Sequence, residues 1–277
     1  MKALLVTILF VGISTVPLQA GWLTYRSTND FSGVEITDCS TSAFGKLTIP
    51  DSVNGKPVTG IRGWAFYFCT NLTEVNIPDS VTTIGPGAFS YCTSLVNVNI
   101  PSEVTVISNS TFSDCLSLES ILIPSHITSI EAYAFQGCTN LEEVNIPAGV
   151  TNVGKFAFQG CSSLTSIYVE SDNSHFSSND GVLFNKPATD LIQYPMGLIG
   201  PYTLPESVIN IIDGAFDQCS RITSVTLPSG IENIGHGAFF CCTSLDSITI
   251  RTTRRGLTRR VVMRHHEPDS ITQDHRP

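Results

Sequence analysis

A phenylalanine recurs at positions 66, 89, 112, 135 and 158, each time after 23 residues, and again at 216 and 239. A cysteine stands three residues after every one of them, at 69, 92, 115, 138, 161, 219 and 242. Six residues after the phenylalanine comes Leu72, Leu95, Leu118, Leu141, Leu164, Ile222 or Leu245. Nine and eleven after it come aliphatic pairs, from Val75/Ile77 and Val98/Ile100 to Val225/Leu227 and Ile248/Ile250. A unit repeated at this period cannot bury its apolar face alone, and closes a core only by stacking on copies of itself.

Within one unit the spacing predicts local structure. Ala88, Phe89 and Cys92 lie at i, i+1 and i+4, which predicts a single helical turn with one buried face. From Leu95 the rhythm becomes two, with Val98 and Ile100 on one side of a short strand and Asn97 and Asn99 on the other. Pro101 lacks an N–H and closes the strand, and Val104 and Ile107 turn inward on a return limb. The expected fold is a solenoid of about 23-residue coils, each with a short parallel β-strand and a short helical turn.

The segments "LTEVNIP", "LVNVNIP" and "LEEVNIP" carry the L-x-x-L-x-L strand signature of leucine-rich repeats. The fuller unit "IPDSVTTIGPGAFSYCTSL" resembles the BspA-type leucine-rich repeat family, and the resemblance spans about residues 21–250. It implies a leucine-rich repeat solenoid from a group of secreted or surface proteins, several of them adhesins, with no shared catalytic residues.

Several segments leave the period. Residues 1–20 combine one Lys, an apolar run from Ala3 to Val16 and a small residue at Ala20, which predicts a secretory signal peptide. The run is too short to span a bilayer comfortably, so no transmembrane span is expected in the mature chain. Residues 21–61 alternate apolar and polar side chains and are expected to cap the first coil of a solenoid that runs over 62–250. Within it a longer, variant coil is expected at about 170–204, read as a surface bulge that leaves the stack intact. Residues 251–277 hold seven Arg, follow no period, and are expected to form a disordered basic tail that does not cap the stack.

Chemistry is expected to be absent. There is no G-x-S-x-G, H-E-x-x-H, phosphate loop or dinucleotide fingerprint, and the six His are scattered, so no catalytic residue, cofactor or metal site is assigned. The repeated Cys are singletons rather than C-x-x-C pairs. Stacked on neighbouring coils with parallel Cβ vectors, they would hold their Cβ atoms about 4.8 Å apart, whereas a disulfide wants about 3.8 Å. They are read as a reduced packing ladder, with Cys39 and Cys241 off the pattern. Residues 21–250 carry 21 acidic and 7 basic side chains, a formal −14, which argues against nucleic acid and anionic membranes as partners.

What remains is a surface for binding. On the strand face the candidates are Glu74, Asn76, Asn97, Asn99, Leu122, Glu143, Asn145 and Tyr168, a polar ladder with two apolar interruptions. On the turns they are Trp64, Tyr133 and Phe156, all two residues before the repeat Phe; Tyr67, Phe68 and Tyr91 follow that Phe in the first two coils. The expected function is a non-enzymatic extracellular protein-interaction or adhesion module, secreted or at the cell surface. Its partner is an extracellular protein, with a glycan-binding surface module as the alternative.

Overall fold

The computed structural model describes residues 21–251 and the backbone of residues 258–261. The expected signal peptide and most of the basic tail lie outside the described residues.

Each coil turns its corner without a helix. In the coil built on Phe89, the residues two before and two after it, Gly87 and Tyr91, take left-handed φ values of 63° and 61°. The same two places are left-handed in all seven coils, from Trp64 and Phe68 to Gly237 and Cys241. This alternation points every second N–H at the next coil. Gly87 N donates to Asn109 O (2.8 Å), Phe89 N to Thr111 O (2.9 Å) and Tyr91 N to Ser113 O (2.8 Å). The N–H groups between them close tight turns inside the coil, as Ser90 N does on Gly87 O (3.0 Å) and Cys92 N on Phe89 O (3.1 Å). The expected helical turn is therefore corrected. An α-helical turn would spend its N–H groups along its own axis, whereas here half of them tie one coil to the next. A left-handed L-residue costs about 1–2 kcal/mol, offset by bonds that no isolated coil could make.

The repeat side chains form the core as expected. The rings of Phe66, Phe89, Phe112, Phe135 and Phe158 are buried and stacked, with successive centroids 4.8, 5.6, 5.5 and 5.6 Å apart. Beside them, from the second coil on, the thiols of these coils donate to the phenylalanine carbonyl of the preceding coil. Cys92 Sγ lies 3.1 Å from Phe66 O, Cys115 Sγ 3.2 Å from Phe89 O, and Cys138 Sγ and Cys161 Sγ 3.1 Å from Phe112 O and Phe135 O. All nine cysteines are free, and only Cys241 is exposed. Burial pushes the Cys161 thiol up from 9.0 to about 12 and drives Cys92 and Cys138 well above their ordinary value.

The strands on one face pair in parallel, Glu74 with Asn97 and Val75 with Val98 in one sheet, Glu143 with Ser166 and Asn145 with Tyr168 in another. Between them, residues 119–123 carry no strand. On the sheet's near side the Asn99 side chain takes over a backbone role: its Oδ1 accepts from Ile77 N (2.7 Å) and its Nδ2 donates to Ile77 O (2.8 Å). The return limbs pair over two residues each, as in Val106–Ile107, Ser129–Ile130 and Asn152–Val153.

The two ends close on antiparallel strands. At the start, Leu23–Ser27 pairs antiparallel with Val34–Cys39, which runs parallel to Lys56–Ile61, while Phe44–Thr48 pairs parallel with Asn71–Asn76. At the other end, Thr258–Val261 pairs antiparallel with Ser247–Arg251. Of the tail expected to be disordered and non-capping, these four residues pair with the edge of the last coil, and residues 252–257 and 262–277 lie outside the described residues. An open strand edge offers unpaired backbone groups to any extended segment within reach, whether or not it keeps the repeat.

The longer coil is also more than a surface bulge. Phe176–Asn179 and Val182–Asn185 form a hairpin that continues into Asp190–Gln193, and this last strand rejoins the stack in parallel with Asn210–Ile211. Asn173, fully buried, anchors its start: Nδ2 donates to Pro147 O (2.8 Å) and Val150 O (3.0 Å), and Oδ1 accepts from His175 N and Phe176 N (both 2.8 Å). Leu183 belongs to the core of the preceding coils, while Val182 and Phe184 belong to that of the following ones. Tyr194 fills the phenylalanine place, its N–H donating to Ala215 O (2.8 Å) and its ring stacked on Phe216 at 4.9 Å.

The thiol ladder has measurable consequences. Replacing Cys138 by Ser should destabilise the chain by about 1–3 kcal/mol in denaturant titration, because a more strongly polar group is set in an apolar column. The pH dependence has a defined sign. A buried thiol whose folded pKa is raised favours the neutral form, so its contribution is complete below the ordinary value of 9.0 and is lost as pH climbs towards about 12. The unfolding midpoint should fall across that window, and Cys161→Ala should make the fall shallower.

Candidate interaction surface

On the strand face most of the candidate side chains are exposed, but they are not all free to bind. Glu74 is held by Lys46, Nζ to Oε1 at 2.7 Å, and the Asn99 amide is spent on the Ile77 peptide. Asn76 lies opposite Thr48 and Asn97 opposite Glu74. Glu143 and Asn145 face Ser166 and Tyr168 across the adjacent pair of strands. Leu122 is 83 % exposed and Tyr168 50 %. One full coil, that of Asn145, separates them, so these two apolar candidates do not form one patch.

The turn aromatics divide into two groups. Tyr133 and Phe156 stack at 5.6 Å, and a methyl group added at Gly214 would collide with the Phe156 ring. Around them, polar pairs join coils 58 residues apart: Lys155 Nζ to Asp213 Oδ2 at 3.0 Å, and Gln159 Nε2 to Asp217 Oδ2. Phe156 is partly buried. This pair thus spans the place where the longer coil contributes no comparable corner, and its first role is packing.

Trp64 belongs to a different constellation. It is separated from Tyr133 by the coils of Gly87 and Ser110, which hold the same position with little or no side chain. One side of the indole lies over Gly87, where an added methyl would collide with it, yet the residue remains 53 % exposed. Its ring meets Tyr67 edge-on at 5.3 Å, and Tyr67 meets Phe68 edge-on at 4.6 Å and Tyr91 at 5.8 Å. Phe68 stacks on Tyr91 at 4.8 Å with planes 3° apart. All four rings are exposed. The column of Phe68 and Tyr91 continues into Asp114, whose carboxylate beside the Tyr91 hydroxyl pushes that phenol up from its ordinary value. The three aromatics chosen by their place in the repeat are therefore not one platform. The contiguous surface is Trp64, Tyr67, Phe68 and Tyr91, and it draws on both left-handed columns of the turn.

Left-handed backbone explains why these rings stand out. A side chain at such a position is aimed along the stack, over the equivalent residue of the next coil, as Trp64 over Gly87 and Phe156 over Gly214. Among the described residues no group of three His, Cys, Asp or Glu could hold a metal ion, and no helix is long and apolar enough to cross a membrane.

Comparison with known proteins agrees with this architecture. Residues 59–180 and 199–261 match six copies of the BspA type leucine rich repeat region, and the chain belongs to that family. A leucine rich cell surface protein from Faecalibacterium prausnitzii is similar, with 28% identity, a TM-score of 0.58, and coverage of 82% of this chain and 74% of that one. The leucine rich repeat protein of T. pallidum shares 28% identity at a TM-score of 0.56, covering 82% of this chain and 89% of that one. A leucine-rich repeat protein from Bacteroides ovatus shares 26% identity at a TM-score of 0.57, covering 82% and 69%. A search of curated proteins found no match.

The packing role of Phe156 can be measured by a double-mutant cycle. Gly214→Ala should cost about 1–3 kcal/mol, from left-handed strain together with the ring collision. In a Phe156→Ala background the same change should cost less, because only the backbone strain remains.

Proposed function

We propose that this chain is a non-enzymatic, extracellular interaction or adhesion module, and that its partner docks on the aromatic corner formed by Trp64, Tyr67, Phe68 and Tyr91. The observation that carries the reading is that four large rings are exposed and in contact with one another on two adjacent coils, while Leu122 and Tyr168 on the strand face stand apart. Contiguous exposed aromatics are unusual on a monomeric surface, and Trp and Tyr are over-represented among residues that dominate binding energy. Membership of a leucine-rich repeat family, and similarity to a cell surface protein, support the same class of role and the extracellular placement.

A glycan is the second reading, and one feature favours it. Trp64 and Phe68 each cover a neighbour on the following coil with one side and remain about half exposed, which leaves flat apolar area on which a sugar ring could stack.

The test compares two surfaces. Tyr67→Ala with Phe68→Ala should abolish capture of extracellular protein ligands while moving the unfolding midpoint little, because both rings are exposed. Glu143→Lys with Tyr168→Ala, on the strand face, should leave capture within about twofold. Loss of capture only in the second variant would overturn the assignment to the corner. Capture that survives deglycosylation of the ligand supports the protein reading, and capture lost on deglycosylation supports the glycan reading.

A further inference from the structure

The thiol ladder begins with a pair that differs from all its other rungs. Cys92, Cys115, Cys138, Cys161 and Cys242 each donate to a phenylalanine carbonyl one coil earlier, at 3.0–3.2 Å. Cys219 turns to the carbonyl of Tyr194, which holds the phenylalanine place, at 3.7 Å. Cys69 sits in the first coil and has no such carbonyl before it. Its Sγ lies instead 3.6 Å from Cys39 O and 3.6 Å from Ser40 O, and Cys39 Sγ lies 3.7 Å from the same Ser40 O, so both thiols converge on one carbonyl. Both residues are buried.

Neighbouring rungs within the repeat occupy equivalent places, so their Cβ atoms are separated by the rise of one coil, about 4.8 Å, which is wider than a disulfide accepts. Cys39 escapes that constraint. It ends the strand Val34–Cys39, whose partner Leu23–Ser27 is antiparallel, and it belongs to no repeat column. Its Cβ position is set by the cap, not by the coil rise.

We infer that Cys39 and Cys69 are a cross-linking site at which a disulfide fastens the N-terminal cap to the first coil. The oxidant is an external low-molecular-weight disulfide of the glutathione class. The Cys69 thiolate attacks one sulfur of that disulfide, giving a mixed disulfide and releasing one thiolate. The Cys39 thiolate then attacks the Cys69 sulfur, forming the Cys39–Cys69 bond and expelling the second thiol of the oxidant. Two thiol protons pass to the released thiolates, and two electrons pass to the oxidant. Burial pushes the thiols of Cys92, Cys115, Cys138 and Cys161 up, which keeps these rungs neutral and unreactive in the folded stack. Because both sulfurs are enclosed in the folded state, the exchange proceeds while the cap strand is undocked, during folding or a local opening.

The experiment refolds the chain in buffers of reduced and oxidised glutathione, traps free thiols by alkylation, and maps them by mass spectrometry. No Lys or Arg lies between Arg62 and Lys155, so trypsin alone leaves Cys69 and Cys92 on one peptide. Trypsin with a glutamate-specific protease puts Cys39 in 36–46, Cys69 in 63–74 and Cys92 in 75–103. The expected result is a linked pair of the first two peptides, with Cys92, Cys115, Cys138 and Cys161 alkylated. The oxidised chain should melt about 5–10 °C above the reduced one, and Cys39→Ser should abolish that difference, although its buried hydroxyl lowers the midpoint equally in both buffers. Alkylation of both Cys39 and Cys69 after refolding in the most oxidising buffer would overturn the inference, as would a bond from Cys69 to Cys92.

Discussion

The structure depends on where half of the corner N–H groups go. Two left-handed residues flank each core phenylalanine, and between them the chain alternates bonds to itself with bonds to the next coil. A helix at this place would have closed its hydrogen bonds internally and left this corner of neighbouring coils joined by side chains alone. With the alternation, the phenylalanine stack, the thiol-to-carbonyl contacts and the parallel strand pairs all share one repeat distance. Outside the longer coil the length holds at 23 residues, because each of these ladders would lose its register if a neighbour were longer.

The same constraint produces the surface. A left-handed residue sends its side chain along the stack, so a ring placed there shelters a neighbour and still reaches solvent. Where the neighbour is Gly87 or Gly214 the ring fits without resistance. Where two consecutive coils carry rings, as Phe68 and Tyr91 do, the rings stack and extend the exposed patch. The aromatic corner is thus an elaboration of positions that the corner geometry already holds open, and it can change without disturbing Phe66 or Phe89 beneath it.

Much of this is legible in the sequence. The columns of Phe66, Cys69, Leu72, Val75 and Ile77 are buried in coil after coil, as their period requires. The corner misleads because Ala88, Phe89 and Cys92 share a spacing with a helix, and spacing does not report the sign of φ. A signal is present: Gly recurs two before the phenylalanine at 87, 214 and 237 and two after it at 137 and 160. Its exchange for Trp, Tyr and Phe in the same columns hides it. Tyr194 escapes a periodic reading because the longer coil displaces it from the 23-residue spacing, and Thr258–Val261 because pairing with an open edge needs no periodic pattern. The site is legible as a set of exposed aromatics, but their division into a packing pair and a contiguous corner depends on which neighbours are Gly, across coils.

The strand Val182–Asn185 gives the stack a bulkhead. Its successive side chains serve different cores, Leu183 on one side and Val182 and Phe184 on the other, and its own backbone bonds go to Phe176–Asn179 and Asp190–Gln193, only a few residues away in the chain. In a uniform array, fraying that begins at one end can pass from coil to coil, each exposing the next. Here it meets a locally closed sheet that keeps most of its hydrogen bonds after a neighbour is lost. The coils before and after it can therefore differ in sturdiness, and tolerate change at different rates, within one continuous chain.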